Sequence, residues 1–288
     1  MSSMVYLNGL IMTPDQASIS VQDYGFLYGC ALFETMRAYD GKIFRLDSHL
    51  ARLAQSAALL GIPFDSSVPR SAVYDLLQVN DLREARIRIT LSAGEGEISP
   101  DLNSCVSPNL LIVASKYQPY PDHIYQQGFK VIVSSSQRNS GSLLSHIKST
   151  NYLENLLARQ EARKKGADEA IWLNEKGLVA EGTMSNVFLV FEDVIKTPPE
   201  ESGILPGITR RTIFEIAESI NVKIIEDKID AETLKNATEI FITNSLIEVM
   251  PVTTIENVPV NDGTPGPITR LLQQKYREVI HKELHLAP

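Results

Sequence analysis

A stretch of strict alternation places the strongest limit on how this chain can fold. From Ala85 to Leu91 the sequence reads Ala-Arg-Ile-Arg-Ile-Thr-Leu, so apolar and polar side chains take turns at every position. Because successive side chains of a strand point to opposite faces, this pattern predicts a strand with one face in a core and the other in water. Helical spacing appears elsewhere, between Leu50 and Leu60 and from Thr209 to Ile220. The sequence therefore predicts a mixed α/β protein of the α+β class.

The length of the chain predicts two lobes. At 288 residues it exceeds the about 100–200 residues that usually share one core. Residues 117–122 include two prolines and have the composition of a linker. We therefore expect a small N-terminal α/β domain over residues 1–116 and a larger C-terminal domain over residues 123–288.

Charge and composition exclude several kinds of partner. Lys and Arg number 27 against 35 Asp and Glu, a formal net charge of -8, so we expect neither nucleic acid nor an anionic membrane as a partner. Cys30 and Cys105 are too few for a disulfide framework, and the five histidines form no His-x-x-x-His pair, so we expect no metal site. The first ten residues lack a basic, apolar leader, and no apolar run approaches the length of a membrane span. We expect a soluble, cytoplasmic protein.

Helix signals in the second domain predict which faces are buried and where anions bind. In the helix after Tyr152, the apolar positions predict an inward face. Its members are Leu153, Leu156, Leu157 and Ala162. The run Gly207-Ile208-Thr209-Arg210 opens another helix, and the run from Gly266 to Arg270 echoes it with Pro267 inserted. Because proline removes a backbone donor, we interpret the second run as a helix opener and not as an anion site.

A lysine, a carboxylate and a helix start suggest cofactor chemistry. Lys148 begins an amphipathic helical stretch, Glu181 ends a short strand pattern, and residues 207–209 offer two amides and a hydroxyl at a helix start. A lysine can form a Schiff base with an aldehyde cofactor, whose phosphate suits a helix N-terminus and a cation such as Arg52. Spacing alone leaves the alternative open that these are ordinary surface residues.

Six stretches, in order along nearly the whole chain, carry a resemblance to known proteins. They are Tyr24 to Gly29 with Phe33 to Arg37, His49 to Leu53, Ile147 to Asn151, Glu181 to Phe188, Leu205 to Arg210, and Thr243 to Ser245. Together they resemble the successive motifs of the class IV aminotransferase family. That family holds pyridoxal phosphate in fold type IV and includes branched-chain aminotransferases, D-amino acid aminotransferases and aminodeoxychorismate lyases. The resemblance implies two α/β lobes with the cofactor at their boundary, the larger lobe binding it, and a homodimer.

The resemblance also implies residue roles. Lys148 would form the Schiff base and move a proton between the substrate carbon and the cofactor carbon, and Glu181 would pair with the pyridine nitrogen. The other cofactor-binding residues implied are Arg52, Tyr152, Ser185, Asn186, Leu205, Gly207, Ile208, Thr209, Asn244 and Ser245. The substrate-facing residues implied are Tyr28, Phe33, Thr35 and Arg37.

The motifs mix features of three subfamilies. The loop from Ser92 to Ser99 is acidic and lacks the arginine and histidine with which D-amino acid enzymes bind the substrate carboxylate, which disfavours that subtype. Ser149-Thr150 replaces the double glycine of branched-chain enzymes, and Thr35 replaces a glycine. Aminodeoxychorismate lyases match locally at Thr35 and from Thr243 to Ser245, with Glu248 and Pro251 following.

Our first interpretation is a transaminase that exchanges an amino group between a small amino acid of the branched-chain type, or a primary amine, and a 2-oxo acid. The alternative is an aminodeoxychorismate lyase that releases 4-aminobenzoate and pyruvate. A non-catalytic relative is disfavoured because Lys148 and Glu181 are both present.

Overall fold

The computed structural model describes residues 3–192 and 194–286. Contacts group the chain into two units, Met1–Gln118 with Ile147–Asn151, and Pro119–His146 with Tyr152–Pro288. Each unit combines a sheet with helices, so the predicted α+β class is confirmed. The predicted domain ranges also take in residues 1, 2, 193, 287 and 288, which lie outside the described residues.

The first unit is built on a six-stranded sheet with the order β2-β1-β6-β5-β3-β4. Its elements are β1 (Val5–Leu7), β2 (Leu10–Met12), α1 (Tyr24–Tyr28), β3 (Ala31–Tyr39), β4 (Lys42–Ile43), α2 (Leu46–Leu59), α3 (Ser67–Val79), β5 (Ala85–Ser92) and β6 (Asn109–Lys116). In β5 the alternation has the predicted effect, because Ala85, Ile87 and Ile89 are buried while Arg86 is exposed. The buried side chains of β5 join those of α2 and α3 in one core.

A short segment from later in the chain completes this unit. Residues 147–151 lie along the start of β3, where the Phe33 amide donates to the Lys148 carbonyl at 2.8 Å and the Thr150 amide donates to the Ala31 carbonyl at 2.8 Å. Two backbone hydrogen bonds therefore fix the position from which the Lys148 side chain leaves the main chain.

The second unit is built on a nine-stranded sheet with the order β12-β11-β10-β13-β14-β7-β8-β9, with β15 paired to β14. Its strands are β7 (Phe129–Arg138), β8 (Glu169–Asn174), β9 (Val179–Gly182), β10 (Asn186–Phe191), β11 (Val194–Thr197), β12 (Lys223–Glu226), β13 (Glu239–Asn244), β14 (Glu248–Ile255) and β15 (Val258–Pro259). Its helices are α4 (Asp122–Gln127), α5 (Leu153–Lys164), α6 (Ile208–Ser219), α7 (Ala231–Lys235) and α8 (Pro267–Glu283). None of the described helices is both long enough and apolar enough to cross a bilayer.

The predicted inward face of α5 is wrong for three of its four residues. Leu153, Leu156 and Leu157 are exposed, whereas Ala158 and Ala162 are buried. The helix packs on β7 and β8. Small side chains on this face let a helix lie close to a sheet, which turns the larger leucines outward. Hydrophobic spacing predicted an apolar face on α5, but it did not show that the alanines, and not the leucines, face the sheet.

Helix α8 begins at the predicted opener, and a carboxylate of the chain itself lies at its N-terminus. The Glu239 carboxylate at the start of β13 accepts hydrogen bonds from the Ile268 amide at 3.0 Å and from the Thr269 amide and hydroxyl at 2.7 Å each. A carboxylate at a helix N-terminus satisfies amides that have no partner within the helix and interacts favourably with the helix dipole. The start of α8 is thus occupied by the protein itself.

This arrangement predicts the effect of Glu239→Leu. We expect the free energy of unfolding to fall by about 1–3 kcal/mol, because two amides and a hydroxyl lose their acceptor in a buried place. Urea unfolding followed by circular dichroism measures the change. The exposed Glu278→Leu on the same helix is the control and should change the value by less than about 0.5 kcal/mol. Equal effects of the two substitutions would contradict the capping role.

Candidate active site

Lys148 lies beside an aromatic ring that a second cation also contacts. Its Nζ is 4.7 Å from the centroid of the Phe33 ring, and the Arg88 guanidinium carbon is 3.8 Å from the same centroid. The register of β3 and β5 explains this, since Phe33 pairs with Thr90 and Thr35 with Arg88, which places all four side chains on one face. The predicted residues Lys148, Phe33 and Thr35 are therefore neighbours within the first unit.

A buried carboxylate holds Arg52. The Arg52 Nε and Nη2 donate to Glu34 at 2.8 and 2.7 Å, a fork that fixes the guanidinium plane. His49 Nδ1 lies 2.7 Å from the same carboxylate. Neighbouring side chains of a strand point to opposite faces, so Glu34 points away from Phe33, to the face of β3 that α2 covers. His49 and Arg52 lie about one turn apart on α2, and both reach Glu34.

The charge states of this group follow from its surroundings. Burial alone would raise the pKa of Glu34, but the charges of Arg52 and His49 and the hydrogen bonds from both lower that pKa to about 2. Burial lowers the pKa of His49 and outweighs the opposing effect of Glu34. Arg52 has the larger charge effect of the two on Glu34 and keeps that carboxylate ionised.

Two other residues predicted to face the substrate, Arg37 and Tyr28, lie on β3 and α1. Arg37, near the end of β3, has its guanidinium carbon 4.2 Å from the Tyr39 ring centroid and 4.9 Å from that of Tyr117. Its Nη2 is 3.6 Å from Glu84. Tyr28 ends α1 and is 43% exposed. Their roles at a substrate stay predictions.

In the second unit Glu181 is the centre of a buried polar group. Its Oε2 accepts from the Leu205 amide at 2.9 Å and from Asn186 Nδ2 at 3.2 Å, and its Oε1 lies 3.0 Å from Arg138 Nη2. Asn186 Nδ2 also donates to the Leu205 carbonyl at 2.9 Å. The structure therefore brings the predicted residues Glu181, Asn186 and Leu205 together and adds Arg138, which the sequence did not indicate.

The start of α6 differs from the start of α8. Gly207 is the N-cap of α6, and within the part of the chain that the structure describes no side chain caps this helix. The Ile208 and Thr209 amides sit in the first turn, with both residues buried. A side chain at position 207 would overlap the Asn186 Oδ1, so glycine is required for the approach of α6 to Asn186. This start has the free dipole end that favours an anion.

The remaining predicted residues flank these two features. Ser185 Oγ is 3.5 Å from Glu169, and Tyr152 donates to the Thr183 carbonyl at 3.0 Å. Asn244 Oδ1 accepts from the Leu246 and Ile247 amides at 2.9 Å each, and Ser245 lies within that turn. Burial, followed by the charges of Glu181 and Glu169, raises the pKa of Tyr152, so its hydroxyl keeps the proton that it donates.

Two residues of these groups, Arg88 and Arg138, were missed from sequence, and His49 was named within a motif but given no role. Arg88 is a polar position of an alternating strand, where an exposed arginine is the ordinary expectation. Arg138 ends β7 in a polar stretch that predicts a loop, and no local pattern shows that it reaches Glu181. His49 precedes Arg52 by three residues, a helical spacing that places both on one face and is a usable signal.

The family described as amino-transferase class IV matches residues 31–255 of the chain. Over 96% of this chain and 96% of the other, the sequence is 37% identical to a putative branched-chain-amino-acid aminotransferase of Methanocaldococcus jannaschii. Over 98% of this chain and 96% of the other, it is 36% identical to the aminodeoxychorismate lyase of Bacillus subtilis. The solved branched-chain aminotransferase of the archaeon Thermoproteus uzoniensis with norvaline superposes with a TM-score of 0.90 at 31% identity, covering 97% of this chain and 95% of that one.

The Glu34 group predicts how stability depends on pH. A carboxyl with a pKa of about 2 in the folded chain and 4.5 without its partners adds stability above pH 4.5, which is lost as the pH falls toward 2. At pH 7 we expect Glu34→Gln to lower the free energy of unfolding by about 3 kcal/mol. The difference from the unsubstituted chain should shrink between pH 5 and 3.

Denaturant unfolding at several pH values measures this difference. Glu84→Gln, at a half-exposed ion pair with Arg37, is the control and should cost less than about 1 kcal/mol throughout. A loss for Glu34→Gln that stays constant down to pH 3 would show that Glu34 is not held ionised by Arg52.

Proposed function

Because this chain belongs to the class IV aminotransferase family, we propose that it is a pyridoxal phosphate-dependent transaminase. We assign it the exchange of an amino group between a small amino acid of the branched-chain type, or a primary amine, and a 2-oxo acid. The observation that carries the proposal is that Glu181 and Lys148 are each held in place, Glu181 by three buried donors and Lys148 by the backbone pairing of its segment. The proposal is also supported by two similar proteins that are named as branched-chain aminotransferases.

The donor set fits pyridoxal phosphate. The start of α6 offers the Ile208 and Thr209 amides and the Thr209 hydroxyl to a phosphate, in a place where Asn186 leaves room for no side chain at Gly207. Glu181 offers its carboxylate to the ring nitrogen, with Arg138 Nη2 3.0 Å from the other carboxylate oxygen. When bound, this cofactor accepts the electron pair of a carbanion formed at the substrate's α-carbon.

Lys148 would supply the base for the proton transfers. Its Nζ would take the proton from the substrate carbon and deliver it to the cofactor carbon, and the Phe33 ring lies 4.7 Å from this nitrogen. Asn186 and the Leu205 amide hold the Glu181 carboxylate in one orientation during both half-reactions. Arg52, held by Glu34, would add positive charge for the phosphate.

Arg88 favours an amino acid over a simple amine as the substrate. Its guanidinium lies against the same ring as the Lys148 Nζ, so a carboxylate on the reacting carbon's side of Phe33 would find a cation with planar donors. A primary amine has no carboxylate for this cation to bind. We therefore place amino acids first among the substrates.

The lyase is the second candidate. It is supported by the 36% identity to the aminodeoxychorismate lyase of Bacillus subtilis and by Thr35, which lies on the Phe33 face of β3 where branched-chain enzymes carry a glycine. Both reactions use Lys148 as the base, so the residues around it do not separate them.

We also propose a homodimer in the cytoplasm. The exposed leucines of α5, Leu153, Leu156 and Leu157, make an apolar surface that water disfavours and that a second copy would cover. The two cysteines are free, which suits a reducing compartment.

Two assays of the purified chain with added pyridoxal phosphate test the reaction. With branched-chain amino acids and 2-oxoglutarate we expect keto-acid formation, and with aminodeoxychorismate we expect no release of 4-aminobenzoate. Lys148→Ala should lower the rate at least about a thousandfold, because the base for proton transfer is lost. Release of 4-aminobenzoate alone would establish the second candidate, and full activity of Lys148→Ala would contradict both.

Light scattering tests the dimer. We expect Leu156→Glu to raise the dimer dissociation constant at least about a hundredfold, because a symmetric interface contains the buried leucine and the new charge twice. Leu59→Glu on α2 is the matched control, since Leu59 is 57% exposed and Leu156 is 55% exposed. A monomer before substitution, or equal dissociation by both variants, would contradict the assignment of this surface.

A further inference from the structure

Glu169 is a buried acid outside every role given above. It begins β8 and is 3% exposed. Its carboxylate accepts from the Ala170 amide at 3.0 Å, the Thr183 amide at 3.2 Å, the Thr183 hydroxyl, and the Ser185 hydroxyl at 3.5 Å. Among the described residues no lysine or arginine forms an ion pair with it. Burial raises the pKa of this carboxyl. Burial of a carboxyl group carries a desolvation cost that its hydrogen bonds must offset, so a specific task is expected of Glu169.

The partners of Glu169 belong to one tight turn. The Gly182 amide donates to the Ser185 carbonyl at 2.7 Å and closes the 182–185 turn between β9 and β10. Glu169 holds both the second and the last residue of this turn. A side chain at position 182 would overlap the Ser185 Oγ, so the glycine leaves room for that hydroxyl on the side of Glu169.

The same turn is held from two further directions. The Thr183 carbonyl accepts from the Tyr152 hydroxyl at 3.0 Å and from Asn155 Nδ2 at 2.6 Å, both at the start of α5. The Met184 carbonyl accepts from Asn244 Nδ2 at 3.0 Å, at the end of β13. Side chains of β8, of the start of α5 and of the end of β13 therefore hold the 182–185 turn. Among these side chains, Glu169 is the carboxylic acid.

The residues on either side of the turn are Glu181 and Asn186. Their side chains are hydrogen-bonded to each other at 3.2 Å, and both bind the backbone of Leu205. The distance between their backbones is set by the turn, because the turn joins them directly. A small displacement of the turn would move the Glu181 carboxylate relative to Arg138 and the Leu205 amide, and hydrogen bonds weaken steeply with poor alignment.

We propose that Glu169 is a positioning residue, which clasps the 182–185 turn and thereby sets the place and direction of the Glu181 carboxylate at the ring nitrogen of the cofactor. This inference rests on the proposed function. Glu169 touches neither cofactor nor substrate and acts through Glu181.

The chain contains a closely matched control. Glu239 in the same unit is also a buried carboxylate, and it also accepts from two backbone amides and one threonine hydroxyl, but at the start of α8. Glu169→Leu and Glu239→Leu therefore each remove bonds to two amides and a threonine hydroxyl, and Glu169→Leu also removes the longer contact with the Ser185 hydroxyl. A loss of function that comes from general destabilisation should appear in both, and a loss that comes from the position of Glu181 should appear in the first alone.

The binding of pyridoxal phosphate is the first measurement, followed by the fluorescence of Trp172, the single tryptophan of the chain. We expect Glu169→Leu to raise the dissociation constant about tenfold, the change that accompanies one misplaced hydrogen bond to a charged group, and Glu239→Leu to leave it within about twofold. Glu169→Gln, which keeps one acceptor oxygen, should restore most of the affinity. In a chain that already carries Glu181→Gln, Glu169→Leu should add less than about twofold.

Hydrogen exchange of the cofactor-free chain is the second measurement. Amides of residues 182–186 should exchange faster in Glu169→Leu and not in Glu239→Leu. Unchanged binding and exchange in Glu169→Leu, or the same tenfold loss with and without Glu181→Gln, would overturn the positioning role while leaving the proposed function standing. Failure of the unsubstituted chain to bind pyridoxal phosphate would overturn both.

Discussion

The buried carboxylate of Glu181 is the constraint on which the second unit depends. A buried charge is stable only when donors surround it, and Glu181 has Arg138, Asn186 and the Leu205 amide. Each donor comes from a different part of the chain: the end of β7, the start of β10, and the segment before α6. Assembling them requires the central strands to be in register and α6 to start where Gly207 allows it.

The first unit also places a charged side chain near a core, but there the side chain is a cation. Arg52 is a cation near a core, and Glu34 balances it from the covered face of β3, while His49 on α2 also contacts Glu34. The other face of the same strand carries Phe33 and Thr35 beside Lys148 and Arg88. One strand therefore separates the charges that hold Arg52 from the side chains that would meet a substrate. Alternation along β3 is what makes this separation possible.

Sequence periodicity predicted the elements that have one wet face and one dry face. It found β5 and the helices α2 and α6, because in these the apolar side chains are also the inner ones. It failed at α5, where alanines face the sheet and leucines face out. Burial there is decided by how closely the helix approaches β7 and β8, which no local pattern records. The return of residues 147–151 to β3 was missed for the same reason, since the pairing joins residues more than a hundred positions apart.

The candidate site also contains residues that the sequence identifies and residues that it does not. Lys148 and Glu181 could be singled out because ordered motifs surround them, whereas Arg138, Arg88 and Glu169 stand in stretches that predict a loop or an ordinary strand. Their positions follow from long-range contacts, and Glu169 reaches residues 183 and 185 only because β8 and β9 are adjacent in the sheet. The 182–185 turn lies within the Glu181 to Phe188 motif, so the sequence marks it as part of the site. The contacts from β8, α5 and β13 that hold this turn are long-range and cannot be read from the motif.

Chemical trapping identifies the lysine that bonds to the cofactor. The chain is incubated with pyridoxal phosphate, reduced with borohydride and digested, and the peptides are mapped by mass spectrometry. The account predicts a phosphopyridoxyl group on the peptide that contains Lys148, with other lysines such as Lys176 unlabelled and with no label in Lys148→Ala. A label on another lysine, or equal labelling of several, would contradict the assignment of Lys148 as the residue that bonds to the cofactor.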